Sequence, residues 1–299
     1  MSDIRRILCA SDLSEGADEA IRQADALARA RGASLEVLHV VPNPLAAHPA
    51  FAQLTRHAGA RAALEAAQEQ ARTELTSRVA ALTKGAPNDC AVRVSEGVPY
   101  AAIVSRADEA GADLIVVGGK GASGLKMERF GDVAEKVVRH APVSVLVARR
   151  GPGGGKVLAA TDLSHASLPA LTAAAEEARH RGAGLTVVHN VDPDLKEVGP
   201  AILSALVQVF SDDYLAELGR AARSRLGEAL ERLGVTGEVV ITTGSAGASI
   251  LRLAEKLPAE LVVVANSGST GLASILLGSV AESVVRWAPC SVFVVRHRG

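Results

Sequence analysis

Two aspartates stand in near-identical turns, Ser11-Asp12-Leu13-Ser14 and Thr161-Asp162-Leu163-Ser164. Each is followed downstream by a spaced set of small residues. The first copy reads Gly118-x2-Gly121-x9-Gly131-Asp132, and the second reads Ala265-x2-Gly268-x9-Gly278-Ser279, with Val280 next. Residues of these types suit a phosphorylated ligand. Glycine lets a backbone approach a ligand with no Cβ in the way. A Gly-Ser pair opening a helix offers unpaired N–H groups, the positive end of a dipole and a hydroxyl donor, all of which favour an anion. Two such elements nine residues apart could hold a polyphosphate. An aspartate beyond the first strand could accept from a ribose hydroxyl or an adenine amine.

The same residues have plainer uses. Asp12 and Asp162 could cap the helices that follow them. Gly118, Gly121 and Gly268 could serve tight turns, and Gly131 and Gly278 begin helices on any reading. The copies are also unequal. Asp132 stands where a hydroxyl would suit phosphate; as an N-cap it would occupy the N–H groups that phosphate needs, and its charge repels phosphate unless a metal intervenes. Lys120 and Lys126 could offset that charge. The second copy keeps Gly278-Ser279 and substitutes only Ala265, so it is the better candidate site.

These residues must be held by a scaffold, and the chain writes that scaffold twice. Residues 133–150 and 280–297 agree at 12 of 18 positions, ILCASDLS (7–14) faces VLAATDLS (157–164), and RGASLEVLHVV (31–41) faces RGAGLTVVHNV (181–191). The expected domains are 1–150 and 156–299, with the run Gly151-Pro-Gly-Gly-Gly155 as a linker flexible by composition. Within the first copy, short apolar runs at Arg6–Ala10, Ser34–Val41, Ala91–Glu96, Asp113–Gly118 and Val143–Ala148 alternate with longer amphipathic stretches. The runs LIVVG and VSVLVA are apolar at consecutive positions, as in parallel strands buried on both faces. Five strands alternating with four helices predict a doubly wound α/β domain, repeated once.

In such a domain ligands sit outside the carboxyl ends of the strands, where strand order reverses. The residues leaving those ends are Ala10, Ser11, Asp12, Val40, Val41 and Gly118 in one copy. In the other they are Thr161, Asp162, Asn190, Val191 and Ala265. His39 and His189 recur at equivalent ends, but no His or Cys lies at metal-ligand spacing from them, so packing or a backbone hydrogen bond is expected.

Composition excludes other chemistries. The net charge is −1, split as +1 and −2 between the halves, and only seven residues are aromatic, which disfavours nucleic acid. Any adenine must then lie on aliphatic strand ends such as Val40 or Val191. Three scattered cysteines fit a reducing compartment, and Cys9 and Cys290 read as core residues. No apolar run reaches the length of a membrane span, so a cytoplasmic location is expected. There is no Walker A sequence. Gly119-x-Gly121-x-x-Gly124 spells a dinucleotide fingerprint but follows the wrong strand. The apolar stretch Gly199–Phe210 reads as a packed helix, with a lid or docking patch as the sharper alternative.

The glycine signature, the Ser/Thr-Asp-Leu-Ser turn and the closing V-A-E-x-V-V-R-x-A-P-x-S-V-x-V-V segment, in that order and twice, resemble the universal stress protein family. The resemblance covers both halves and implies a tandem member with the adenine-nucleotide alpha-hydrolase-like fold. It further implies binding of ATP, with or without Mg2+, in at least one half, hydrolysis that is slow or absent, and a stress-response role exercised through a regulatory protein partner. Family members often dimerise through the last strand, which implies an intramolecular pseudo-dimer here and leaves room for a homodimer. The competing reading is a nucleotide-free interaction or scaffold module with decayed signatures, favoured by Asp132 and Ala265.

Overall fold

The computed structural model describes residues 4–43, 58–83, 90–119, 131–191, 212–267 and 277–296. The first half runs β1 (Arg6–Ala10), α1 (Glu15–Arg31), β2 (Ser34–Pro42), α2 (Ala58–Leu82), β3 (Cys90–Gly97), α3 (Pro99–Glu109), β4 (Leu114–Gly118), α4 (Asp132–His140) and β5 (Ser144–Ala148). The second runs β6 (Lys156–Thr161), α5 (Leu168–Arg181), β7 (Gly184–Val191), α6 (Asp212–Leu233), β8 (Glu238–Thr243), α7 (Ala246–Lys256), β9 (Leu261–Ala265), α8 (Ser279–Trp287) and β10 (Ser291–Val295). The expected doubly wound fold is therefore present twice.

Local chemistry sets the helix limits. Ser14 caps α1 by accepting from the Ala17 N–H, and Gly32 closes it in the left-handed conformation. In the second half Pro169 sits in the first turn of the helix, where a missing N–H costs nothing, and α5 opens at Leu168 after Ser167. Relative to α1, α5 starts about one turn later, a difference that matters at the site.

Among the described residues ten strands form one sheet in the order β3-β2-β1-β4-β5-β10-β9-β6-β7-β8. Every neighbouring pair is parallel except β5 and β10, which run antiparallel with Val147 opposite Val292 and Leu146 opposite Phe293. The strands of one half thus point opposite to those of the other. Their carboxyl ends, and with them the two candidate sites, lie on opposite edges of the sheet.

Both faces are covered, which is why β4, β9 and β10 are apolar on consecutive residues. One core unites Ile21 of α1, Leu75 of α2, Leu171 of α5 and Leu226 of α6 with Leu146 and Phe293. The other unites Ile103 of α3, Val137 of α4, Ile250 of α7 and Val284 of α8 with Val147 and Val292. Each core contains residues of both halves. Polar contacts cross the joint too: Arg31 of α1 and Glu177 of α5 pair with side chains only 7% and 4% exposed, and Arg181 joins the same carboxylate. Cys9 and Cys290 are buried core residues as expected. The Gly151–Gly155 run is held rather than loose. A Cβ at Gly154 would collide with the Pro258 carbonyl, and Gly155 accepts from the Gly184 N–H. The stretch Gly199–Phe210 lies outside the described residues.

Candidate functional site

Strand order reverses between β1 and β4 in the first half and between β6 and β9 in the second. The turn leaving β1 is built from its own side chains. Ser11 accepts from the Leu13 N–H at 3.2 Å, and Asp12 Oδ1 accepts from the Ser14 N–H at 3.1 Å and its hydroxyl at 2.5 Å. The turn leaving β6 repeats this. Thr161 Oγ1 accepts from Leu163 at 2.9 Å, and Asp162 Oδ1 accepts from Ser164 at 3.0 Å. Both aspartates are exposed at the strand ends, whereas Ser11 and Thr161 are buried.

Two features pin these turns. His39 Nδ1 lies 2.8 Å from the Ser11 carbonyl and His189 Nδ1 lies 2.9 Å from the Thr161 carbonyl. A carbonyl only accepts, so Nδ1 carries the proton in each ring. The histidines are thus backbone props. Among the described residues no cluster of potential metal ligands occurs. Second, Leu13 and Leu163 adopt φ of 64° and 63°, a left-handed conformation unfavourable for leucine, while their side chains pack on the core. The same strain at the same point of both copies marks a turn whose shape is over-determined by its surroundings.

The halves differ at the next strand. A Cβ on Gly118 would stand 2.8 Å from the Gly16 carbonyl oxygen in the first turn of α1. Glycine is required there by protein packing, not by ligand approach. Ala265, its counterpart, stands at the end of β9 with a methyl in that place, while α5 begins at Leu168 after a hydrogen-bonded turn in which Ser167 and Leu168 donate to the Ser164 carbonyl.

The distal elements are the starts of α4 and α8. Gly131 and Gly278 are the N-caps, with φ of −67° and −62° and no side-chain cap. Asp132 is accordingly the first helical residue and not the cap. Its carboxylate lies exposed beside the N–H groups that it was expected to occupy as a cap. Ser279 and Val280 are exposed at the equivalent place. At Gly278 an added Cβ would meet the Asn266 carbonyl at 3.5 Å, an ordinary contact. Neither backbone conformation nor packing demands glycine at that position.

Of the aliphatic residues, Val40 is 6% exposed and packed in the core, so Val41 is the one with surface to offer. Val191 and Ala10 are half-buried. The Asn190 side chain is engaged at both ends, donating to the Gly244 carbonyl at 2.6 Å and accepting from Thr242 at 2.8 Å. It fastens β7 to β8. Gly121 and Gly268 lie outside the described residues, as do Lys120 and Lys126.

The family model described as the universal stress protein family matches residues 3–149 and again 155–296. A universal stress protein of Mycobacterium tuberculosis is 32% identical over 211 residues, covering 68% of this chain and 68% of its own. One from Methanocaldococcus jannaschii is 34% identical over 145 residues, covering 47% of this chain and 81% of its own. A crystal structure of a universal stress protein from Archaeoglobus fulgidus aligns over 100% of both chains with a TM-score of 0.68 at 22% identity. No described helix is long and apolar enough to cross a membrane.

Proposed function

The chain belongs to the universal stress protein family, and from that premise we propose that it is a stress-response regulator binding ATP at the β6–β9 switch point of its second half. The observation that carries this reading is Gly278. It caps α8 without a side chain, although its φ and its neighbours would accept one. An uncapped helix start with an exposed serine at its first position suits a phosphate that takes the N–H groups itself. Asp162, whose Oδ1 accepts from the Ser164 N–H, lies exposed at the end of the β6 turn where ribose would approach, and half-buried Val191 offers an apolar face to adenine. Magnesium enters as the counter-ion of the nucleotide. The proposed output is a change of conformation or partner, with hydrolysis slow or absent.

The first half supports the second reading better than the first. Packing accounts for Gly118, Asp12 takes the Ser14 hydroxyl, and Asp132 sets a negative charge where phosphate would approach. We propose that this half is a nucleotide-free module that presents or senses its partner domain.

Denaturing the purified chain and chromatographing the supernatant tests the proposal, together with calorimetry of added Mg-ATP. Released adenine nucleotide, or saturable heat from a single class of site, is expected. If there is neither release nor heat, the nucleotide reading fails and the scaffold reading stands for the whole chain.

A further inference from the structure

The two candidate sites face opposite edges of the sheet, yet a short set of contacts joins them. Arg149 follows β5, the last strand of the first half. Its buried guanidinium donates to the carbonyls of Val285 and Cys290, at and just beyond the last turn of α8. Those carbonyls have no partner within the helix, and a cation there also complements the helix dipole. The other end of α8 is Gly278–Ser279. On its own side Arg149 touches the start of the first half's glycine loop. Gly119 donates to the Ala148 carbonyl at 2.9 Å, and a Cβ on it would stand 2.6 Å from Arg149 Cγ and 2.7 Å from Nε.

The second half repeats the arrangement. Arg296 follows β10 and donates to the Arg139 carbonyl in the last turn of α4 at 3.2 Å. The other end of α4 is Gly131–Asp132. Asn266, at the position equivalent to Gly119, donates to the Val295 carbonyl at 2.9 Å, and its own carbonyl accepts from the Gly278 N–H at 2.8 Å. Between the two helices Glu135 meets Arg286 at 3.3 Å and Glu282 meets Arg139 at 3.6 Å. Each arginine therefore belongs to one half, directly follows the residue whose carbonyl accepts from that half's loop, and holds the far end of the helix whose beginning faces the other half's site.

We propose that Arg149 and Arg296 are reciprocal positioning residues that couple the glycine-loop strand end of each half to the phosphate-facing helix of the other. A shift of the chain at Gly118–Gly119 moves Arg149, and with it the C-terminal anchor of α8. A shift at Asn266 moves Arg296 and the anchor of α4. The two halves then respond to ligand or partner as one device, with a modest coupling of the size usual between linked sites. The joint itself stands on the protein contacts alone; its effect on ATP rests on the reading of the second half given above.

The test is hydrogen exchange on the full chain with Gly119→Ala, which presses on Arg149 from inside the first half. Exchange at residues 284–288, where Ala288 donates to Val284, should rise about tenfold. Arg149→Lys, keeping the charge but losing the forked donor set, should give a smaller rise in the same segment. Gly32→Ala, a strained substitution in the same half but at the end of α1, controls for general destabilisation. An equal rise at 284–288 in that control, or no rise with Gly119→Ala, would overturn the coupling. In parallel, Gly119→Ala should weaken Mg-ATP binding about fivefold by calorimetry. If the unmodified chain binds no ATP, the nucleotide reading fails and exchange alone decides the coupling. If ATP binds and Gly119→Ala changes neither exchange nor affinity, the coupling fails and the nucleotide reading stands.

Discussion

At the scale of residues, two glycines that look alike in sequence do different work. Gly118 is demanded by the Gly16 carbonyl, so Gly118→Ala should cost about 1–3 kcal/mol by overpacking. Gly278→Ala meets only ordinary contacts and should cost under about 1 kcal/mol, the usual penalty at a helix cap. Urea unfolding measures both, and the milder substitution is expected to be the one that weakens ATP binding. The thiols give a separate test. Burial pushes Cys290 up to about 12 and Cys9 higher still, while Cys90 is half-buried and raised less. Because the folded values exceed the unfolded one near 9, this contribution to stability is whole below about pH 9 and is lost as pH rises toward 12. A thiol reagent at neutral pH should label Cys90 alone in the native chain and all three cysteines after unfolding.

Among elements, the repeated segment V-A-E-x-V-V-R supplies the contact between α4 and α8. Glu135, Arg139, Glu282 and Arg286 pair within each helix and across the joint. These groups are about one-third exposed, so Arg286→Glu should cost only about 0.5–1 kcal/mol. Adding Glu135→Arg should restore part of that loss, and a double-mutant cycle by thermal unfolding would register the interaction. The strands and helices themselves were legible from apolar runs and cap residues, because those patterns depend on local spacing. The cross-helix pairing was not. Both copies of the motif are visible in the sequence, but only the antiparallel meeting of β5 and β10 turns them toward each other. The same limit applies to the site. The glycine spacing pointed to the ends of β4 and β9 and the starts of α4 and α8, yet spacing could not say that α1 occupies the space above Gly118 or that Gly131 caps α4 in place of Asp132.

For the whole molecule, a ten-stranded sheet with two cores shared by both halves should not come apart in stages. Calorimetric unfolding is expected to show one transition. Phe293→Ala, opposite Leu146 at the central joint, should lower that single transition by the loss of about 3–5 kcal/mol. Two resolved transitions, with only the second half affected, would show that the halves are energetically separate. On the proposed reading, sequence similarity between the halves conceals a division of labour at this scale, with the nucleotide in the second half and the Asp132 carboxylate set against it in the first.

That proposed division is sharpest at equivalent helix starts, where Asp132 stands in one half and Ser279 in the other. Isothermal calorimetry with Mg-ATP on Ser279→Asp and Asp132→Ser therefore bears on it most directly. A single class of site is expected in the unmodified chain, at least tenfold weaker with Ser279→Asp, and undiminished or joined by a second site with Asp132→Ser. Unchanged binding with Ser279→Asp, or loss of binding with Asp132→Ser, would place the nucleotide in the first half and contradict it.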